Sequence, residues 1–573
     1  MKKRVVILGA GLAGLRSASV LIDHGYDVTV IERAPMAGGC TSSWVDNRDP
    51  EKNTLRKGQM QMNFPFYENL NYFAWRELNA PDLFQPGQPS IGSWDKGNSA
   101  YSDRLDGFYF VDENGRRSHL SASPKSTMGK VLKALPAPLS TLQVFWDFDG
   151  IPTLRDKLSA VKFHRLAMIF GDKVAPPIND DWNFFGLMKH LGMSYEAIRA
   201  YRRITYSITN LSDADQVGPK FLHLFYLAYL RDKDVLGCRM MNDDCNPALI
   251  DPVVASLSKR GVKFLFESPV RDILIEKEKC VGVVIDDLTS GKSLICDNCG
   301  LSFKVTGPVA FCSVCGNNFA IDQTVPSQKK TIEADYFISA LQPHQLATIY
   351  RSRDDHPLRQ YPFFRALGQF RGAELTISRI FMDAKVTDEY NLTGLDRDYF
   401  SMNGCMDLSH IMPKFREKSV FDTLSDDGEV LNYYPTETLK AKLREDLKKI
   451  FPTSQKARVK KHLLARLSPD VLYHRGVPRL NSRFLPHRPN TPISNFFLAG
   501  DWVEDLELGK EAAVKSGISA ANSILESDSL PLEPILYPSI APMVSWFQTN
   551  PVSRWVRSRY EKRFFSELPP KRG

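Results

Sequence analysis

The 573-residue chain has no run of about 18 consecutive apolar residues, the length a membrane-spanning helix needs. Any association with a bilayer is therefore expected to be peripheral. It also lacks a block of one charge sign. The net charge of +8 is spread over a long chain in which 43% of residues are apolar and 24% charged, an ordinary globular composition whose charge reads first as solubility and only secondarily as attraction to anionic lipid. A disulfide framework is absent too. Of nine cysteines, four cluster and five (Cys40, Cys238, Cys245, Cys280 and Cys405) are scattered, which fits a reducing compartment. No Ser/Arg-rich transit-like extension precedes the first apolar run. Met1-Lys2-Lys3-Arg4 and the residues after it read as the start of a strand rather than a signal peptide. The expectation is a cytoplasmic chain, and its length suits two interleaved domains.

What is present is concentrated at the start. Val5 to Leu8 form an apolar run ending in Gly9-Ala10-Gly11-Leu12-Ala13-Gly14, after which Leu15, Ala18 and Ile22 fall on one helical face. A second apolar run, Asp27 to Ile31, ends in Glu32, eighteen residues after Gly14. This predicts strand, tight turn, helix, strand and acid. Gly9 permits the turn, Gly11 lets a pyrophosphate approach the helix N-terminus, Gly14 allows close helix–strand packing, and Glu32 stands where a ribose hydroxyl would sit.

Arg33 and then Gly38-Gly39-Cys40 follow the acid. A second glycine pair there resembles the FAD fingerprint of glutathione-reductase and amine-oxidase type flavoproteins. Near the other end, Asn495 to Leu498 read as a buried strand running through Ala499 into Gly500-Asp501, with a helix signal over Lys510 to Ala521. The resemblance implies that Asp501 bonds the ribityl or phosphate part of FAD. It also implies that the following helix, with Glu511-Ala512-Ala513, points its positive end at the flavin ring, where it would favour reduced, anionic flavin.

Asn63-Phe64-Pro65-Phe66-Tyr67-Glu68-Asn69-Leu70, taken with the fingerprint, resembles the segment that phytoene and ζ-carotene desaturases carry after their FAD motif, and Pro136-Ala137-Pro138-Leu139 resembles a further segment of that family. In that family the Val270 position lies beside the adenine. The resemblance implies an α/β fold: a Rossmann-type, glutathione-reductase-like FAD-binding domain interleaved with an α+β substrate domain. It further implies hydride transfer from an apolar isoprenoid lipid to flavin N5, with a quinone or similar acceptor reoxidising the flavin. No catalytic acid or base is named, because the cofactor carries the reaction. The chain departs from the family at Cys40, where Arg is common, at Gly58-Gln59-Met60, where Gly-x-His is common, and at Ala512, where Gly is usual.

Between the strands Val281 to Ile285 and Thr331 to Ala340 lies an insertion absent from familiar desaturases. It contains Cys296-Asp297-Asn298-Cys299-Gly300 and, with twelve residues separating Cys299 from Cys312, Cys312-Ser313-Val314-Cys315-Gly316. Two CxxC knuckles predict a tetrahedral four-thiolate site in a zinc-ribbon-like module. Zinc is the first expectation; iron, as in short-spaced rubredoxin-type centres, is the alternative and would add a one-electron outlet. Little basic or aromatic sequence surrounds the knuckles, so no nucleic-acid partner is expected.

The expected division is 1–75, 246–345 and 481–528 for FAD binding, 76–245 and 346–480 for the substrate domain, 291–320 for the ribbon, and 529–573 for a separate tail. Trp182, Phe184, Phe185, Leu187, Met188 and Leu191 form one apolar patch and Phe221 to Leu230 another, read first as core packing, with a long apolar cavity or a membrane-facing surface as the competing reading. Glu374 to Met382 alternates like a half-buried strand, and Thr436 is expected to cap a helix running to Ile450. Arg155, Lys157, Lys162 and Arg165, interleaved with Leu154, Leu158, Val161 and Leu166, give a basic amphipathic pattern. A tail helix with Val552, Trp555, Val556, Tyr560 and Phe564 on one face either packs on the body or lies at a membrane interface. Alternatives to the desaturase are an amine- or squalene-type flavin oxidoreductase, a redox-neutral carotenoid isomerase, and a non-catalytic flavoprotein that docks through its ribbon. Oligomeric state is not legible.

Overall fold

The computed structural model describes residues 2–58, 67–79, 101–104, 107–121, 123–136, 139–170, 184–209, 239–306, 309–320, 328–388, 392–395, 399–425, 428–472, 489–503, 509–537, 545–546 and 549–565. Gln59, Met60, Asn63 to Phe66, Ala137, Pro138, Trp182 and Phe221 to Leu230 lie outside them, as do the side chains of Phe184, Tyr560 and Phe564.

A five-stranded parallel sheet runs in the order Phe496–Leu498, Tyr336–Ser339, Arg4–Leu8, Asp27–Ile31, Lys263–Leu265, its apolar central strands buried and its last strand at an exposed edge. The helix Leu12–Asp23 packs against the longer helix Gly509–Ser527, so the two ends of the chain meet. A three-stranded antiparallel sheet follows, Val270–Glu276, Lys279–Asp287 and Gln328–Ile332. The expected single strand Thr331 to Ala340 is therefore two strands. Residues up to Ile332 pair with Lys279–Asp287, and Tyr336–Ser339 enter the parallel sheet beside Arg4–Leu8. The turn Glu333-Ala334-Asp335 moves the chain between sheets, and Asp335 accepts a bond from the Arg4 amide at 2.7 Å.

A seven-stranded mixed sheet runs Val459–Leu467, Leu375–Met382, Val420–Ser425, Gly404–Asp407, Leu392–Leu395, Gly107–Val111, Arg117–Ser121. It draws strands from both sides of the parallel sheet's middle segments. Leu375–Met382 is not half-buried as its alternation predicts. It lies between two neighbours, and even Arg379 is fully buried. Thr436 does not cap its helix; its hydroxyl accepts from Arg466 at 3.1 Å, and Pro435 precedes the first turn. In the apolar patch, Phe185, Leu187 and Met188 are core residues, with Leu191 packed against them.

The tail is not separate from the body as far as Tyr537. Glu533 forms a 2.6 Å ion pair with Arg16 in which both side chains are at most 2% exposed. The Leu536 amide bonds Asn69 at 2.9 Å, and Asn522 brackets Glu533 from both sides of its backbone. Among the described residues no helix is long and apolar enough to cross a membrane.

Candidate functional site

The glycine turn sits at the C-terminal end of the parallel sheet, where the strand order reverses beside Arg4–Leu8, the place at which open α/β sheets leave a ligand crevice. Gly9 has φ +102°, and its amide bonds the Ile31 carbonyl at 2.8 Å. A Cβ on Gly14 would lie 2.0 Å from the Gly9 carbonyl oxygen, so only glycine lets helix and turn pack this closely. Gly11 is the N-cap of the Leu12–Asp23 helix. It offers no side-chain cap, and no acid stands in the first turn, so the first amides remain available to an anion. Ala10, Leu12 and Ala13 are buried behind the turn.

The second glycine pair closes over the first. The Gly38 amide bonds the Ala10 carbonyl at 2.9 Å, Gly11 and Gly38 bridge as parallel strands do, and a Cβ on Gly39 would lie 3.2 Å from the Gly11 Cα. Glu32 fixes this arrangement by accepting the Ala10 and Ala34 amides, each at 2.9 Å. Val270 opens its strand next door, with the Ser268 amide on the Glu32 carbonyl at 2.9 Å. Gly500 follows the Phe496–Leu498 strand and donates to Ser516 at 2.8 Å, while Asp501 accepts from Gln342 at 3.3 Å. Burial pushes the Cys40 thiol up to about 11, so it is neutral at physiological pH.

Two members of the expected set stand differently. Glu511 is 2% exposed, and its carboxylate takes the Asn69 amide at 3.0 Å, the Asn69 side chain at 2.7 Å and the Leu70 amide at 2.8 Å. Its carboxylate thus caps the Glu68–Asn79 helix, leaving Ala512 and Ala513 behind it in or against the core. Arg33 has its guanidinium 5.4 Å from the Phe311 ring of the insertion and 3.3 Å from the Asp470 carbonyl.

Other residues at this site carry no motif. Asn246 exchanges bonds of 2.8 Å with Ser43 and reaches the Ala37 carbonyl at 3.2 Å, tying the second glycine pair to the Asn246–Ile250 turn. Lys57 is 5% exposed, with its ammonium 3.2 Å from the Val471 carbonyl; burial lowers its pKa. Arg379 binds Asp244 at 2.8 Å and Asp422 at 2.7 Å, and Arg56 from the post-fingerprint hairpin joins Asp422. The paired acids at Asp243-Asp244 were the one visible signal.

The four cysteines meet. Cys296 and Cys299 come from one hairpin, Lys292–Ile295 with Ser302–Val305, and Cys312 and Cys315 from another, Val309–Phe311 with Asn318–Ala320. Each knuckle closes alike: the Gly300 and Gly316 amides bond the Cys296 and Cys312 carbonyls at 2.8 Å, both glycines having positive φ. All four sulfurs lie within 4.8 Å of one another, with Cys296 to Cys315 at 3.4 Å and Cys299 to Cys312 at 3.6 Å, and none is more than 1% exposed. Tetrahedral thiolates with metal–sulfur bonds of ~2.3 Å sit ~3.8 Å apart, so the set fits a metal ion.

Known proteins match along this framework. A NAD(P)-binding Rossmann-like domain is recognised over residues 7–73 and a flavin containing amine oxidoreductase over residues 317–525. The zeta-carotene desaturase of Synechocystis sp. is 23% identical over 92% of this chain and 98% of its own length. The 15-cis-phytoene desaturase of Synechococcus elongatus is 21% identical over 91% and 96%. Among solved structures, an oxidoreductase from Methanosarcina mazei aligns with a TM-score of 0.56 at 17% identity, over 91% of this chain and all of the other. Cyclohexylamine oxidase from Brevibacterium oxydans aligns with a TM-score of 0.57 at 13% identity, over 92% and 100%, a likeness of fold. With the glycine crevice built as described, the chain is an FAD-dependent oxidoreductase whose residues 317–525 match the flavin containing amine oxidoreductase model and which is similar along its length to the carotenoid desaturases.

Proposed function

We propose that the protein is an FAD-dependent desaturase of a carotenoid or related isoprenoid lipid that hands its electrons to a quinone-like acceptor. The observation that carries this is the near end-to-end similarity to carotenoid desaturases rather than to a shared cofactor domain alone. FAD, when bound, supplies the hydride-accepting ring. The chain's own part is to bind and orient. Gly9, Gly11 and Gly14 give the pyrophosphate a turn and a helix N-terminus, Gly38 and Gly39 close over them, Glu32 and Val270 face the ribose and adenine end, and Gly500 with Asp501 faces the ribityl end. In this reading residues 1–75, 246–345 and 481–528, joined by 529–537, hold the cofactor, and 76–245 with 346–480 hold the lipid.

Delivery of such a lipid fits a bilayer surface. Leu154, Leu158 and Val161 are 59%, 58% and 38% exposed at helical spacing, beside exposed Arg155 and Lys162. The tail helix Pro551–Phe565 touches that helix and presents Val552 and Trp555 at 69% and 58% exposure, close in sequence to Trp546 at 60%. Apolar side chains among cations suit the headgroup boundary of an anionic membrane. Zinc, a redox-inert ion that favours four thiolates, is the reading for the ribbon.

The test is anaerobic mixing of the purified protein with phytoene or ζ-carotene in vesicles. Bleaching of the flavin band and a product lighter by two hydrogens are expected. An unchanged mass with altered double-bond geometry would make it an isomerase; bleaching by amines alone would overturn the lipid reading. Stoichiometric iron in place of zinc would overturn the metal assignment.

A further inference from the structure

The ribbon is not an appendage. Its first knuckle binds the hairpin that follows the cofactor fingerprint: Trp44 donates to the Cys299 carbonyl at 2.8 Å, and Asn47 bonds the Gly300 carbonyl through its amide at 2.8 Å and its side chain at 3.1 Å. The same knuckle holds the end of the Val459–Leu467 strand, with Asn298 donating to the Arg466 carbonyl at 2.7 Å and accepting its amide at 3.2 Å. The second knuckle takes the next contact along, the Ser468 amide on the Cys315 carbonyl at 2.8 Å. A Cβ on Gly300 would lie 1.8 Å from Asp46, and one on Gly316 2.5 Å from Ser468, so both knuckles are seated with no slack.

The segment gripped by the knuckles, 466–471, reaches the dinucleotide crevice on its other side. Its Asp470 carbonyl holds the Arg33 guanidinium and its Val471 carbonyl the Lys57 ammonium. Phe311, one residue before Cys312, lies against Arg33. Among the described residues neither cation has a carboxylate at ion-pair distance, and a buried ammonium bonded only to a carbonyl is costly without an anion. The anion the crevice is built to admit is the diphosphate-bearing, reducible cofactor.

Resting on the FAD and metal readings above, we propose that the four-thiolate centre is a staple that holds Arg33 and Lys57 beside the crevice, so that metal occupancy sets how tightly FAD is retained. The coupling runs through backbone carbonyls of the knuckles and of 466–471. Without the ion, the knuckles lose the cross-link that fixes their turns. The two cations then lose their anchored carbonyls, and the hairpin behind Gly39 loses its floor.

The test uses the full chain purified with its metal and FAD. A strong chelator removes the ion, metal is counted by mass spectrometry, FAD release is followed by fluorescence, and amide hydrogen exchange is read over residues 43–58 and 463–472. Metal loss should speed exchange in both segments at least tenfold and raise the FAD dissociation constant at least tenfold, with zinc restoring both. Asn298→Ala, which keeps all four thiolates, should loosen the same segments with metal retained. Lys57→Met should weaken FAD binding with metal content and ribbon exchange unchanged. Metal-free protein that keeps wild-type exchange in these segments, or wild-type FAD affinity, overturns the staple, as does an Asn298→Ala variant identical to wild type in both. A wild-type protein that binds metal but no FAD overturns the cofactor reading instead, and the exchange measurement then decides whether the staple exists.

Discussion

The carbonyl oxygen of Gly9 occupies the space a side chain on Gly14 would need, 2.0 Å from the Cβ position. Strand end and helix start are thereby locked at backbone contact, which places the helix amides at the crevice.

Gly14→Ala should therefore fail in two measurements together. Overpacking against backbone costs ~1–3 kcal/mol, visible as a lower Tm, and the displaced helix start should reduce bound FAD per protein. An alanine variant that keeps full FAD content would show that the turn does not set the cofactor site. Gly517→Ala, whose Cβ would lie 2.4 Å from the Ala13 carbonyl oxygen, should destabilise by the same mechanism from the other helix.

The buried Arg379–Asp244 pair gives a sharper outcome. Both side chains are fully buried. Removing Arg379 takes the buried counter-charge from both Asp244 and Asp422, so Arg379→Met should cost ~3–5 kcal/mol in denaturant unfolding, whereas Asp244→Asn leaves Arg379 paired with Asp422 and should cost less. Arg379, Lys414 and Arg56 hold the Asp244 carboxyl far below the usual carboxylate range against the opposing effect of burial. A depressed acid contributes stability above its unfolded value of ~3.9 and loses it as pH falls towards its folded value. The Asp244→Asn variant should accordingly show a flatter acid limb in a plot of stability against pH.

His462 acts at milder pH. Both ring nitrogens are buried without a partner among the described residues, and burial, aided by Lys440 and Arg444, lowers its pKa to about 3. Between the unfolded value of ~6.5 and that folded value, the unfolded chain holds one more proton, so each pH unit of acidification costs up to ~1.4 kcal/mol. His462→Leu should remove one proton's share of the stability loss between pH 7 and 5. His164, also lowered to about 3 by burial, should contribute a second, separable share.

Trp546→Ala combined with Trp555→Ala should leave FAD binding and unfolding unchanged, because both rings are more than half exposed. Cosedimentation with anionic vesicles should fall roughly tenfold or more, equivalent to ~1.4 kcal/mol or above, and the residual binding should weaken with salt. Equal vesicle binding by the double variant would assign this face to something other than lipid.

What the sequence determined by itself is what depends on neighbours along the chain. The glycine turn, Glu32, the second glycine pair and the two CxxC knuckles with their closing glycines all follow from local backbone freedom and periodicity, and they stand where those rules place them. Tertiary structure decided what depends on partners far along the chain. Glu511 reads as part of the flavin end, yet its carboxylate serves a helix more than four hundred residues earlier. Glu533 reads as tail, yet it neutralises Arg16 in the core. Arg379 looks like the outward position of a half-buried strand until neighbours on both edges, and acids 135 and 43 residues away, enclose it. The seat of the ribbon between Trp44 and Ser468 belongs to the same class. Periodicity reports one face of one element, whereas burial of the second face, and the counter-charge that makes it tolerable, are set only when separate segments close on one another.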